Sequence, residues 1–160
     1  MGGRRPAITV GAVMLAILLA SFVAGCGNAG QGQTQQAPMQ QDEAGNFVLY
    51  VSNQSFAINP VDITVLIDGR EAVRADFDVA GPSGPPQHNW VKHQFSLAPG
   101  THKLTVTSKK GGAVLEQDFE ITGKDWAVIN YWYYPEGVTK GTPTPRHFTF
   151  QIQDTPIAFM

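Results

Sequence analysis

Val61-Asp62-Ile63-Thr64-Val65-Leu66-Ile67-Asp68-Gly69 carries the pattern from which the fold is read. Val61, Ile63, Val65 and Ile67 alternate with Asp62, Thr64, Leu66 and Asp68, the period of a strand with one buried face. Asp68-Gly69 then supplies the residue pair that a tight hairpin turn needs. Outward from this stretch the alternation returns. Leu104 and Val106 alternate with Lys103, Thr105 and Thr107, and Leu115, Phe119 and Ile121 oppose Glu116, Asp118 and Glu120. Phe148, Phe150 and Ile152 alternate with Thr149, Gln151 and Gln153. Pro99-Gly100, Gly111-Gly112 and Gly123 punctuate the runs. No stretch after Asn46 sustains a helical period. Strands are predicted over 47–51, 61–67, 71–79, 89–97, 101–108, 113–121, 126–134 and 147–153. About seven or eight short strands of this kind predict an all-β domain, a single antiparallel β-sandwich.

Asp62 to Gly69, followed by Leu97-Ala98-Pro99-Gly100-Thr101-His102-Lys103-Leu104, resembles a pattern of exported bacterial proteins. It is the strand, Asp-Gly turn, Pro-Gly-x-His, strand pattern of immunoglobulin-like and transthyretin-like sandwiches. The resemblance covers about 61–108 and implies an immunoglobulin-like fold only, since such sandwiches host many unrelated functions.

The first residues have a different character. Arg4 and Arg5 precede an uncharged apolar run from Ala7 to Val23, which ends in the small residues Ala24 and Gly25 before Cys26. Charge, length and small-residue end together describe an export signal. Val23-Ala24-Gly25-Cys26 resembles the lipobox of bacterial lipoproteins. That resemblance implies cleavage before Cys26 and a palmitate-type lipid on its thiol. It also implies attachment to the cell membrane or outer membrane, with the domain facing outside the cytoplasm; in a two-membrane bacterium, Gly27 rather than Asp after the cysteine fits onward sorting to the outer membrane. Cys26 is the sole cysteine, so no disulfide framework is available. Several acyl chains hold a protein stably where one does not. The Gly- and Gln-rich stretch that comes next lacks the apolar residues of a core and is expected to be a flexible tether reaching roughly 25 Å. The expected organisation is a signal peptide over 1–25, lipidated Cys26 and tether over 26–45, and the sandwich over 46–160.

The formal net charge is −2, and two of the eleven basic residues, Arg4 and Arg5, lie in the leader. The remainder carries nine basic against 13 acidic residues, a net of −4, which argues against a nucleic-acid partner.

If each strand reverses the one before, the connections at 68–70, 98–100 and 122–125 share one end and are short. Those at 52–60, 80–88, 109–112 and 135–146 share the other end, away from the tether. Loops grouped at one end of a rigid sandwich are where binding concentrates. Gly81-Pro82-Ser83-Gly84-Pro85-Pro86 and the stretch from Pro135 to Pro145 are stiffened by proline, which lowers the entropy lost on binding. Trp90, Tyr133, Tyr134, His88 and Arg146, with Lys109, Lys110 and Lys140 nearby, are the candidate binding residues. Trp126 and Trp132 read as core or wall packing within a strand apolar on both faces.

Catalytic and metal chemistry find little support. His88 and His93, five apart, point to opposite faces of a strand, and His102 and His147 stand apart in sequence, so no zinc spacing results. Asp76 with Asp78, and Glu116 with Asp118 and Glu120, read as solvated strand faces rather than calcium ligands. No nucleophile elbow, phosphate loop or His-Glu-x-x-His occurs. The expectation is therefore a non-enzymatic lipoprotein, without cofactor or metal, that binds a protein partner or supports an envelope assembly. The alternative is a carbohydrate or cell-wall module that stacks sugars on exposed aromatics.

Overall fold

A computed structural model describes residues 36–79, 88–137 and 142–159. Eight strands succeed one another: β1 Phe47–Asn53, β2 Val61–Ile67, β3 Arg70–Phe77, β4 Trp90–Phe95, β5 Gly100–Ser108, β6 Ala113–Ile121, β7 Asp125–Tyr134 and β8 Thr144–Gln153. No helix occurs among the described residues. In β2 the predicted alternation is realised, with Val61, Ile63, Val65 and Ile67 buried and the residues between them half-buried. The β2–β3 hairpin closes in a two-residue turn. Asp68 and Gly69 both take positive φ, 51° and 76°, as a primed turn matched to strand twist requires.

The strands form two four-stranded sheets, ordered β4-β1-β7-β8 and β3-β2-β5-β6. Their facing sides share one apolar core: Phe47, Leu49, Phe95, Ile129 and Tyr131 from the first sheet meet Ile63, Ile67, Leu104, Phe119 and Ile121 from the second. The architecture is a β-sandwich.

Two expectations are corrected. The sandwich is not wholly antiparallel, because β1 runs parallel to β7. β1 is buried on both sides along almost its whole length and so takes an interior place between β4 and β7. Strands that alternate in direction along the chain put β1 and β7 in the same sense. The strand partition also departs from the immunoglobulin arrangement, which groups strands 1, 2, 5 and 4 in one sheet and 3, 6 and 7 in the other.

The stretch assigned to the tether is packed on the sandwich over its later residues. Met39 packs against the core, and its N–H donates to the Glu71 carbonyl at 2.7 Å. Asp42 N–H donates to the Gln94 carbonyl at 2.8 Å, and the Ser96 hydroxyl donates to the Asp42 carboxylate at 2.6 Å. Gln94 Nε2 donates to the Gly45 carbonyl at 2.8 Å. Residues 39–45 thus bridge β3 and β4, one edge strand from each sheet. At Gly45 a Cβ would collide with the Phe95 carbonyl, so only glycine permits the approach. The Gly- and Gln-rich composition concealed this, because the attachment uses backbone groups and one methionine. The leader, Cys26, Gly81–Pro86 and Lys140 lie outside the described residues.

A chain that begins at Asn46 loses these contacts. Its melting temperature should lie about 5 °C or more below that of a chain beginning at Gln36, since about 1 kcal/mol moves a domain of this size by several degrees. Thermal unfolding of the two chains followed by circular dichroism checks this.

Candidate functional site

Hydrogen bonds gather the β1–β2 connection, the last residues of β3 and β7 and the β5–β6 turn at one end. After β1 the chain enters a buried polar frame. Asn53, Gln54 and Ser55 are 0–3 % exposed, yet their side chains are all partnered. Asn53 Nδ2 donates to the carbonyls of Ile58 at 2.8 Å and Phe77 at 3.2 Å, and Asn53 Oδ1 accepts from Ser55 N–H at 2.9 Å. Gln54 Nε2 donates to Ser52 Oγ at 2.7 Å, and Ser55 Oγ donates to the Tyr133 carbonyl at 2.7 Å. Asn59 Oδ1 accepts from Val79 N–H at 2.9 Å. A buried network of this kind, fully satisfied, fixes one geometry. It holds the 54–60 connection against the ends of β3 and β7.

This loop displays Phe56, 47 % exposed. Its ring lies 5.3 Å from His88, and His88 lies 6.1 Å from Trp90. Trp90 stacks on Phe159 at 4.4 Å and 22°, and Phe159 meets Tyr50 edge-on at 4.9 Å and 74°. Phe159 is itself 38 % exposed. Five rings therefore run from the β1–β2 loop onto the outer face of the β4-β1-β7-β8 sheet. Trp90 is fixed from within, because its Nε1–H donates to Asn130 Oδ1 at 3.1 Å on β7.

Of the five residues singled out in the sequence, Trp90 and His88 belong to this row. Tyr133 and Arg146 come together separately, the guanidinium lying 4.7 Å over the ring beside Gly112 of the β5–β6 turn. Tyr134 serves the frame. Its hydroxyl donates to the Gln54 carbonyl at 2.6 Å, and burial raises its pKa. Trp126 and Trp132 are half-buried on the outer face, Trp132 donating to Thr149 Oγ1 at 3.1 Å, so they form wall rather than core. Phe56, Tyr50 and Phe159 escaped the sequence reading. Phe56 could have been noticed as a lone large apolar residue between a strand and Pro60; nothing in sequence links Tyr50 to Phe159.

The opposite end is held by charge. The Asp68 carboxylate accepts from Lys103 N–H at 2.8 Å and meets His102 Nδ1 at 2.6 Å, while His102 Nε2 donates to the Ala98 carbonyl at 2.8 Å. With acceptors at both nitrogens, only the doubly protonated ring makes both bonds, which favours the imidazolium. Burial works against that charge, but the Ala98 carbonyl and the Asp68 carboxylate outweigh it and raise the His102 pKa above 6.5. Burial likewise opposes ionisation of Asp68, and its bonds to His102 and Lys103 prevail, lowering its pKa below 3.8. The motif that linked Asp68-Gly69 to Pro99-Gly100-Thr101-His102 is thus a contact in space. His93, on the core side of β4, has neither ring nitrogen bonded, and desolvation lowers its pKa. Among the described residues no three His, Cys, Asp or Glu side chains gather as metal ligands.

A raised His102 pKa gives stability that is complete below pH 6.5 and is lost as pH rises through the folded value. The depressed Asp68 pKa gives stability present above pH 3.8 and lost as pH falls through its folded value. The melting-temperature gap between the unaltered chain and His102→Gln should therefore be several degrees at pH 5.5 and shrink by pH 9. An equal gap at both pH values would refute the imidazolium. His93 acts in reverse, costing stability as pH falls below 6.5. His93→Leu should gain stability progressively between pH 7 and pH 5, as thermal melts across that range would show.

Compared with known proteins, the chain matches no protein-family model and no curated protein, so its functional reading rests on this geometry.

Proposed function

We propose that this chain is an exported, non-catalytic lipoprotein, anchored through a lipid on Cys26, whose sandwich binds a protein partner through the aromatic end. The observation that carries the reading is the presentation of Phe56 by a loop whose buried polar groups are satisfied. A large exposed ring on a rigid support loses little entropy when it is buried by a partner. Its row continues through His88, Trp90 and Phe159, with polar Asn89 and Lys92 at the margin, an apolar patch with a wet rim. The chain enters β1 at the opposite end, which leaves the patch clear of residues 39–46. The strand partition, being unlike the immunoglobulin one, favours the transthyretin-like member of the two sandwiches that the sequence resembles. An apolar patch with a polar rim favours protein over glycan.

The anchor is checked with Cys26→Ser, which should yield an uncleaved chain without acyl mass, seen by mass spectrometry of the membrane fraction. The binding end is checked with a photo-crosslinking amino acid at exposed Ala57, in the full-length protein on intact cells. A discrete adduct is expected from position 57, lost with Phe56→Ala, and none from Glu120 at the opposite end. Adducts equal at both positions, or indifferent to Phe56, would refute the reading. A glycan that raises the melting temperature saturably, with the gain lost in Trp90→Ala, would replace it with the carbohydrate reading.

A further inference from the structure

After β8 the chain turns back over the outer face of its own sheet. Phe159 reaches Trp90 on β4 and Tyr50 on β1, so 154–159 lies across the two strands most distant from β8 in that sheet. Little holds it there. Among the described residues, the hydrogen bonds of this segment are local: Gln153 Nε2 donates to the carbonyls of Thr155 at 2.9 Å and Pro156 at 3.3 Å, and to Thr155 Oγ1 at 3.3 Å. No backbone bond among the described residues joins 157–159 to a strand. Asp154, Thr155, Pro156 and Ala158 are exposed, Ile157 is half-buried, and the Phe159 ring makes the specific contact.

The seat beneath Phe159 is better fixed than its occupant. Tyr50 pairs with Lys92, and Ser52 with Trp90, so the two rings are diagonal neighbours on adjacent strands. Trp90 is tied to Asn130, and Tyr50 stands on a strand buried on both sides. The seat offers one flat face and one edge, the geometry that receives another aromatic ring. The ring now in it arrives on an irregular peptide segment, without backbone bonds to the sheet among the described residues.

We infer that the Tyr50–Trp90 seat is a binding site for an aromatic side chain carried on an extended peptide segment of the partner, and that Phe159 fills this seat in cis. The inference rests on the protein-binding reading and adds to it the ligand chemistry and a built-in competitor. A short link keeps Phe159 at an effective concentration of roughly millimolar near its seat. A partner's ring must displace it, and its apparent affinity falls by the fraction of time that the seat stands open. Binding through Phe56 and exposure of the Trp90 face then become coupled, because both lie in one row of rings.

The test uses the full-length chain in detergent micelles, with the three indole N–H resonances assigned by single Trp→Phe changes. The probe is an acetylated hexapeptide, Asp-Thr-Pro-Ile-Ala-Phe, copying residues 154–159. Phe159→Ala should shift the Trp90 indole signal, while the backbone spectrum remains that of the folded domain; Phe159→Tyr should leave the signal near its original position. Titrating the hexapeptide into Phe159→Ala should return the signal saturably toward the original position. The unaltered chain should bind the peptide roughly tenfold more weakly or show no response. A hexapeptide ending in Ala should do nothing. An unmoved Trp90 signal in Phe159→Ala would overturn the seating of Phe159. A moved signal that no peptide restores would overturn the binding site. Either failure, together with a Phe56-dependent crosslink from position 57, would leave the protein-binding reading standing and remove only this site.

Discussion

Burial of β1 on both faces governs the arrangement of the remaining strands. Phe47, Leu49 and Val51 enter the core without exposure, and on the other side Val48 and Ser52 are almost as completely covered. A strand with two apolar faces must be interior to its sheet. Placed between β4 and β7, it makes the parallel pair with β7 and divides the eight strands four and four. It also sets Val48 and Tyr50 on the outer face of its sheet, next to the aromatic residues of β4 and β7. That face is covered by Trp90 and Phe159, with Trp126 and Trp132 as wall. The aromatic patch is in this sense a consequence of β1.

The two ends of the sandwich are stabilised differently. At the end where the chain enters, charged and amide side chains staple the turns: Asp68 to His102 and Lys103, Asp42 to Ser96, and Asn46 to Leu97 and Gly123. These contacts are largely exposed, and the Asp68–His102 pair responds to pH. At the other end Asn53, Gln54 and Ser55 form a neutral frame away from solvent. A neutral network carries no titration and holds its loop over the whole pH range in which the domain folds. Asp62 assists on the second sheet. Its carboxylate accepts from Ser108 Oγ and from the N–H groups of Lys109 and Lys110, fixing the β5–β6 turn. Both ends thus carry charged staples, and the end that presents the rings adds a neutral buried frame.

The strands were legible because each is a local pattern. β2 alternates residue by residue, Asp68-Gly69 announces its turn, and β5 to β8 repeat the signal. The candidate site was legible only in part. Trp90 and His88 were visible as aromatic residues next to a proline-rich stretch. Tyr133, Tyr134 and Arg146 looked equivalent in sequence, yet Tyr134 commits its hydroxyl to Gln54 and Arg146 covers Tyr133. Which ring is free depends on the residues opposite it, and that is a non-local fact. Phe159 was missed for the same reason, whereas Phe56 carried a local signal as a lone large apolar residue before Pro60.

Local sequence was enough to dictate an all-β sandwich of about eight strands and the places of its turns. Alternation and turn chemistry act over a few residues and are written into the chain. Tertiary packing had to decide that β1 sits beside β7, that Met39 to Gly45 bridge two strand edges, and that Phe159 rests on Trp90. Each of these joins residues far apart in the chain, where burial and the matching of donors to acceptors choose among pairings that no local pattern distinguishes.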